Sequence, residues 1–517
     1  MQAGRPPALL IGAGSVTAAL VLMPLAVTAV DAAKAAAQSA DLLLRPLVGT
    51  LLVNTLLLVA CAGLASGGLG LAAAWFVERT TFPGRRAFAV LAAVPLAMPP
   101  FISSFAWLSL DPALEGFGGA LLVVTLSYYP LVYLPVAAAL REMDPALEET
   151  AAGLGNGPLT VFRRVVLPQL RPALLGGVLL VALNTLVEFG AFALLRFRTF
   201  TTAIYGAYRA GFSGAEPALL AMVLVALCIL CLVAEQLVRG GARYGRLARG
   251  TRRAAVRAQP GPWRLAISGG FALLAIFSLG VPLAMIGYWL AQPAPAATAT
   301  VAASAGALAA AAWSSCTLAG GGAAITLILA FPLGMLAARY DGWLVALLER
   351  AAYLTQSVPG VVVALALVTL TVHHLRPLYQ SSLLLMLAYA AMFLPMALVA
   401  IRSALVQAQP RLAEAGRSLG LGRASVLLRI TLPLAAPGLG AAAAMVFIAI
   451  ATELTATLLL APIGTRTLAT ELWADTSTLA FAACAPYAAA MTGMSLAASW
   501  TLARRFGAGS VFAPRLG

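Results

Sequence analysis

Glu149-Thr150-Ala151-Ala152-Gly153-Leu154-Gly155, followed by Leu167-Pro168, returns along the chain as Glu414-Ala415-Gly416-Arg417-Ser418-Leu419-Gly420, followed by Leu432-Pro433. In both copies a glycine follows the glutamate by six residues and a proline follows it by nineteen. The same offset of 265 maps Pro145 to Pro410, Arg164 to Arg429, Pro172 to Pro437 and Glu188 to Glu453. Upstream, Leu134-Pro135 maps to Leu394-Pro395 at an offset of 260. A self-similarity this long divides the 517 residues into two equivalent halves.

The surroundings of these stretches are apolar. The chain is 62% hydrophobic and 10% charged, with a mean hydropathy of +0.94. Soluble domains are about 45–50% apolar and about 25% charged, so most of this chain belongs in lipid. Crossing a bilayer takes about 20 apolar residues per helix, and twelve such spans can be read. They are 8–30, 48–76, 87–109, 118–140, 172–195 and 217–238, then 265–290, 313–338, 351–371, 382–402, 437–461 and 480–503. The expected fold is an all-α polytopic membrane protein of two six-helix units, 1–238 and 265–517, joined by a basic linker, 239–264. The first apolar stretch exceeds the 7–15 residues of a signal-peptide core and is read as a retained helix; the alternative is a secretory signal ending near Ala29 or Ala32.

Charge orients the spans. With the N-terminus inside, 26 of the 33 Lys and Arg residues fall in inner loops and 7 in outer ones. Positive residues favour the cytoplasmic side, which places both termini in the cytoplasm. A net charge of +15 distributed this way marks membrane loops and gives no basic, aromatic-interleaved surface for nucleic acid. The five cysteines lie inside apolar runs and form no disulfide framework, and Cys228-x-x-Cys231 has no second pair or His beside it.

The repeated loops have a physical logic. Each glutamate sits near the positive end of a short Ala-rich helix. Gly155 and Gly420 then allow a turn that a side chain would obstruct. A second, basic helix follows, ended by Pro168 or Pro433, and Pro172 and Pro437 suit the first turn of the next span. The product is a helix–turn–helix at the inner surface that a partner can grip.

These loops resemble the "EAA" motif of ABC import permeases, which docks into a groove on the ATPase subunit. Thr150 replaces the first Ala of one copy and Gly416 the second Ala of the other. The resemblance implies ATPase coupling through Glu149, Ala151, Gly155 and Pro168 and through Glu414, Ala415, Gly420 and Pro433. Lys34 is the one lysine and has no phosphate-binding glycines around it, so this chain carries no Walker A loop. ATP and Mg are therefore expected on a separate ATPase, in two copies because both permease units are fused here. A solute-binding protein outside and the bacterial inner membrane complete the expected assembly, with no cofactor and no covalent chemistry in this chain.

Glu188 and Glu453 are the most telling residues for the solute. A charge at mid-membrane costs roughly 2.5–3.5 kcal/mol on insertion scales. Each follows the proline opening its span by sixteen residues, about 24 Å along a helix, which predicts matched depth toward the outer half. Two readings stay open. The carboxylates line a translocation path and ligate a hard cation such as ferric iron, with Tyr128, Tyr129, Tyr205 and Tyr208 as further oxygen donors. Otherwise each pairs with an arginine or a helix-end amide and orders the outer gate.

Glu188-Phe189-Gly190 with Thr199-Phe200-Thr201-Thr202-Ala203-Ile204-Tyr205 looks like the fifth-span region of ferric-iron permeases. So does Glu453-Leu454-Thr455-Ala456-Thr457-Leu458-Leu459-Leu460 with Pro462, Gly464 and Thr467-Leu468-Ala469-Thr470, although Thr455 stands where proline is expected and Ala461 where arginine is. Thiamine and phosphonate permeases share this branch and remain alternatives. A twelve-helix secondary transporter also has two six-helix halves, but it needs no pair of spacing-matched inner loops. Adjacent His373 and His374 lack the spacing and third ligand of a metal site.

Overall fold

The computed structural model describes residues 6–211, 214–240, 257–292, 305–408 and 410–506. Among them the chain is helical, without strands apart from an isolated bridge between Thr80 and Ala258. Backbone polar groups in hydrocarbon must be satisfied within the segment itself, so helices are the expected result. Among the described residues ten helices are long and apolar enough to cross a membrane. Most of the linker, 241–256, and the ends of the chain lie outside the described residues.

Four expected spans differ from a single helix at the expected place. Span three is two helices, Arg85–Ala97 and Pro100–Leu110, bent by 96°. Span nine is likewise interrupted, as Trp343–Leu354 and the short apolar Gly360–His374. Proline pushes the residue before it into extended conformation. Met98 before Pro99 has φ −106° and ψ 119°, and Val358 before Pro359 has φ −96° and ψ 112°. Both halves therefore break at the same place for the same reason.

Spans five and eleven start earlier than expected, as Pro158–Val187 and Ala424–Ala451. Pro168 and Pro433 do not end the second loop helix, which runs on into the span. Just ahead of each, the helix widens into a π turn, Phe162–Val166 or Leu427–Thr431, in which Leu167 donates to Phe162 and Leu432 to Leu427. A proline ring clashes with the carbonyl four residues back in an α-helix, and the wider turn relieves that clash. A third π turn, Ile276–Gly280, stands in the same relation to Pro282.

The chain divides into two compact units that cut across the sequence halves. One contains Met1–Leu43, Ile204–Val225 and Gln292–Gly517; the other contains Leu44–Ala203 and Ala226–Ala291. Each unit thus includes the first span of the other half. In the first unit Thr17, on helix Ala8–Ser39, donates to the Leu329 carbonyl at 3.0 Å. In the second, helix Trp263–Ala291 stacks Phe271 on Phe82 at 5.2 Å between ring centroids, and Ser268 donates to the Pro83 carbonyl at 3.1 Å. Within that unit Pro46–Arg79 packs closely on Pro130–Glu142. A side chain at Gly70 would come within 2.9 Å of the Tyr129 carbonyl, so only glycine fits there.

Candidate functional site

The two repeated loops fold alike. The first begins with helix Pro145–Gly153, whose N-cap Asp144 accepts from the Ala146 amide at 3.0 Å. It ends with Gly155 at φ +82°, where Gly155 N–H donates to the Ala152 carbonyl at 3.0 Å and Asn156 N–H to Ala151 at 3.3 Å. The second copy, Pro410–Ser418, ends with Gly420 at φ +85°. There Gly420 N–H donates to Arg417 at 3.0 Å and Leu421 N–H to Gly416 at 3.1 Å. Both are Schellman closures, in which a left-handed residue satisfies the last helix carbonyls. A Cβ on either glycine would meet nothing within 4 Å. The expectation that a side chain would obstruct this turn is therefore corrected: left-handed φ, and not space, calls for glycine.

Glu149, Gly155, Glu414, Ala415, Gly420 and Pro433 are exposed, whereas Ala151 and Pro168 are half-buried. Sequence reasoning missed the leucine before each glycine. Leu154 is 78% exposed and Leu419 84% exposed, so each turn presents an apolar knob at its tip. The signal was available, since the two leucines obey the 265-residue offset. Sequence reasoning also missed Glu148, whose Oε1 accepts from Arg79 Nη2 at 2.6 Å. Partial burial pushes the Glu148 carboxyl above its ordinary range; Arg79 opposes that shift and Glu149 adds to it.

Glu188 and Glu453 each stand just beyond the end of a long helix and accept from an amide in the first turn of the short helix that follows. Glu188 follows Pro158–Val187, and its Oε1 accepts from the Ala191 amide at 3.0 Å, inside helix Gly190–Leu194. Its Oε2 accepts from the Tyr128 hydroxyl at 2.9 Å, and its backbone carbonyl accepts from Thr201 Oγ1 at 2.7 Å. Glu453 Oε1 accepts from the Ala456 amide at 2.9 Å, inside Thr455–Leu460, and its carbonyl accepts from Thr457 Oγ1 at 2.9 Å. The segments beyond are also capped alike. Thr199 N–H donates to Thr202 Oγ1 at 2.9 Å, and Thr467 N–H to Thr470 Oγ1 at 2.9 Å.

Tyr389 bonds Thr457 Oγ1 at 2.7 Å, and that threonine in turn donates to the Glu453 carbonyl. Of the other tyrosines considered, Tyr129 is buried, and Tyr205 lies beneath the Arg209 guanidinium at 6.0 Å. Among the described residues no three His, Cys, Asp or Glu side chains form a metal-binding group. Each carboxylate thus accepts from an amide of the short helix that follows it, and Glu188 also from a tyrosine hydroxyl.

Comparison with known proteins agrees with the repeat. Residues 66–239 and 330–504 each match the family described as "Binding-protein-dependent transport system inner membrane component". The Fe(3+)-transport system permease protein FbpB 2 of Haemophilus influenzae is 38% identical over 452 residues, covering 87% of this chain and 89% of that protein. The sulfate transport system permease protein CysT of Salmonella typhimurium is 34% identical over 189 residues, 33% of this chain and 68% of that protein. The putrescine transport system permease protein PotI of Escherichia coli is 35% identical over 136 residues, 24% of this chain and 48% of that protein.

Proposed function

We propose, from the premise that this chain belongs to the family of binding-protein-dependent transport system inner membrane components, that it conducts ferric iron inward as the fused permease of an ABC importer. The observation that carries the solute is the 38% identity to an Fe(3+) permease across 87% of the chain. The sulfate and putrescine relatives match only a third or less of it.

In this reading ATP hydrolysis resides on a separate polypeptide, present in two copies, and no cofactor belongs to this chain. One ATPase grips the loop of Glu149, Ala151, Gly155 and Pro168, and the other the loop of Glu414, Ala415, Gly420 and Pro433. The exposed Leu154 and Leu419 tips support docking, because an apolar side chain held in water gains by entering a partner's groove. The unbroken path from each loop into a span, Pro158–Val187 or Ala424–Ala451, supports transmission of ATPase closure to the membrane helices. A solute-binding protein delivers iron on the outer side, and both termini face the cytoplasm. Glu188 and Glu453 serve the outer segment of the path chiefly by holding the short helices that follow them.

The test is reconstitution in proteoliposomes with the cognate ATPase and binding protein. Ferric iron should stimulate ATP hydrolysis and accumulate, whereas thiamine and a phosphonate should not. Stimulation by thiamine alone would remove iron, and uptake driven by an ion gradient without ATP would remove the ABC mechanism.

A further inference from the structure

The two loops close alike, but what holds each to its neighbouring span differs. Helix Pro46–Arg79 ends on Arg79, which is only 7% exposed. Its Nη2 donates to Glu148 Oε1 at 2.6 Å, and its buried Nε has no hydrogen-bond partner among the described residues. Its backbone carbonyl accepts from Ala258 N–H at 2.9 Å, where the linker re-enters the described structure, and Thr81 N–H donates back to the Ala258 carbonyl at 3.1 Å. One residue therefore gathers the end of a span, the linker and the first loop helix. In the second half, helix Ala305–Arg339 also ends on an arginine, but Arg339 donates to the Ala408 carbonyl at 3.0 Å. The position matching Glu148 there is Ala413.

We propose that Glu148 is a positioning residue that fixes the first loop helix to the end of Pro46–Arg79 through Arg79, so that the two loops relay ATPase closure through unlike joints. The first joint is a direct ion pair, and the second is a charge resting on a backbone carbonyl, with the Glu414 carboxylate attracting it only from beyond contact distance. A partly buried ion pair is rigid while both charges are present and strongly weakened when one is removed. Coupling between sites travels through such contiguous contacts when they link elements that move together. The proposal rests on the assignment of these loops to the ATPases.

The readout is iron taken up per ATP hydrolysed by the full transporter in proteoliposomes. Glu148→Gln keeps the shape of the side chain and removes the charge, and should lower this ratio by about threefold or more. That variant also strands a buried guanidinium, so a fall in the ratio could come from local disorder alone. Arg79→Met/Glu148→Leu strands no charge and leaves no hydrogen-bonding group at either position; it should assemble with the ATPases and still show the lowered ratio, because the joint is gone. A parental ratio in the double variant, or in Glu148→Gln itself, overturns the proposal. A parent complex without solute-stimulated ATP hydrolysis would instead defeat the functional reading, before any variant is compared.

Discussion

Gly155 and Gly420, 265 residues apart, hold φ angles of +82° and +85° and close their helices with the same pair of backbone hydrogen bonds. The chain has thus built one turn twice, at the two places where an ATPase is proposed to dock.

Substitutions at these glycines should act through the backbone. A left-handed conformation costs an ordinary L-residue roughly 1–2 kcal/mol, and asparagine less. With nothing within 4 Å of the Cβ position, Gly155→Ala and Gly155→Trp should lower the melting temperature of the isolated chain equally. Gly155→Asn should barely change it. In the assembled transporter Trp should uncouple uptake from ATP hydrolysis more than Ala does. Equal effects of Trp and Ala there would mean that no partner covers the turn.

The leucine tips should matter only to the partner. Leu154→Asp and Leu419→Asp alter exposed side chains, where substitutions usually change stability by under about 0.5 kcal/mol. Each should leave the chain's melting unchanged and reduce ATPase retained on affinity-purified permease, by roughly tenfold for a hot-spot loss above 1 kcal/mol. Undiminished ATPase retention in the double variant would move the docking surface elsewhere.

Gln and Ala should separate the roles of Glu188 and Glu453. A glutamine carbonyl can still accept from the Ala191 or Ala456 amide, whereas alanine loses the cap, worth about 1 kcal/mol. As caps, Glu188→Gln and Glu453→Gln should each transport iron within about twofold of the parent, and the alanine variants should be thermally weaker and slower. Loss of iron uptake in Glu188→Gln/Glu453→Gln with normal assembly would instead show that the path needs their charge.

Asp475 predicts a pH effect. It lies on Leu468–Ser477, a helix too short to span, and its Oδ2 is buried without a hydrogen-bond partner among the described residues. Burial, with Glu471 nearby, pushes its carboxyl from about 3.8 up to about 6. Between these values the folded chain binds more protons than the unfolded one, so this group's contribution to stability falls as pH rises from about 4 through about 6. Asp475→Asn should therefore raise the melting temperature more at pH 7.5 than at pH 4.5. An equal shift at both pH values would contradict the assignment.

Orientation is testable by labelling. With the five native cysteines replaced, a cysteine at Lys34 should react with an impermeant thiol reagent in intact spheroplasts. Cysteines at Arg246 and Arg515 should react only after lysis. Labelling of position 246 in sealed cells would reverse the topology.

The amino-acid sequence by itself determined the repeat, the membrane class and the position of the paired loops. These follow from local rules: apolar length sets a span, and a helix closes where glycine adopts left-handed φ. The breaks before Pro99 and Pro359 were also written locally, in the effect of proline on the residue before it. Three features were decided only by the tertiary structure. The first is that Ala8–Ser39 and Trp263–Ala291 are each compacted with the opposite half. The second is that Pro168 and Pro433 sit inside continuous helices behind π turns. The third is the choice of partners, Arg79 for Glu148 and Tyr128 for Glu188. Uniformly apolar helices carry little in their periodicity to say which neighbour each will meet. That choice comes from side-chain complementarity between segments far apart in the chain, as where Gly70 admits the backbone at Tyr129.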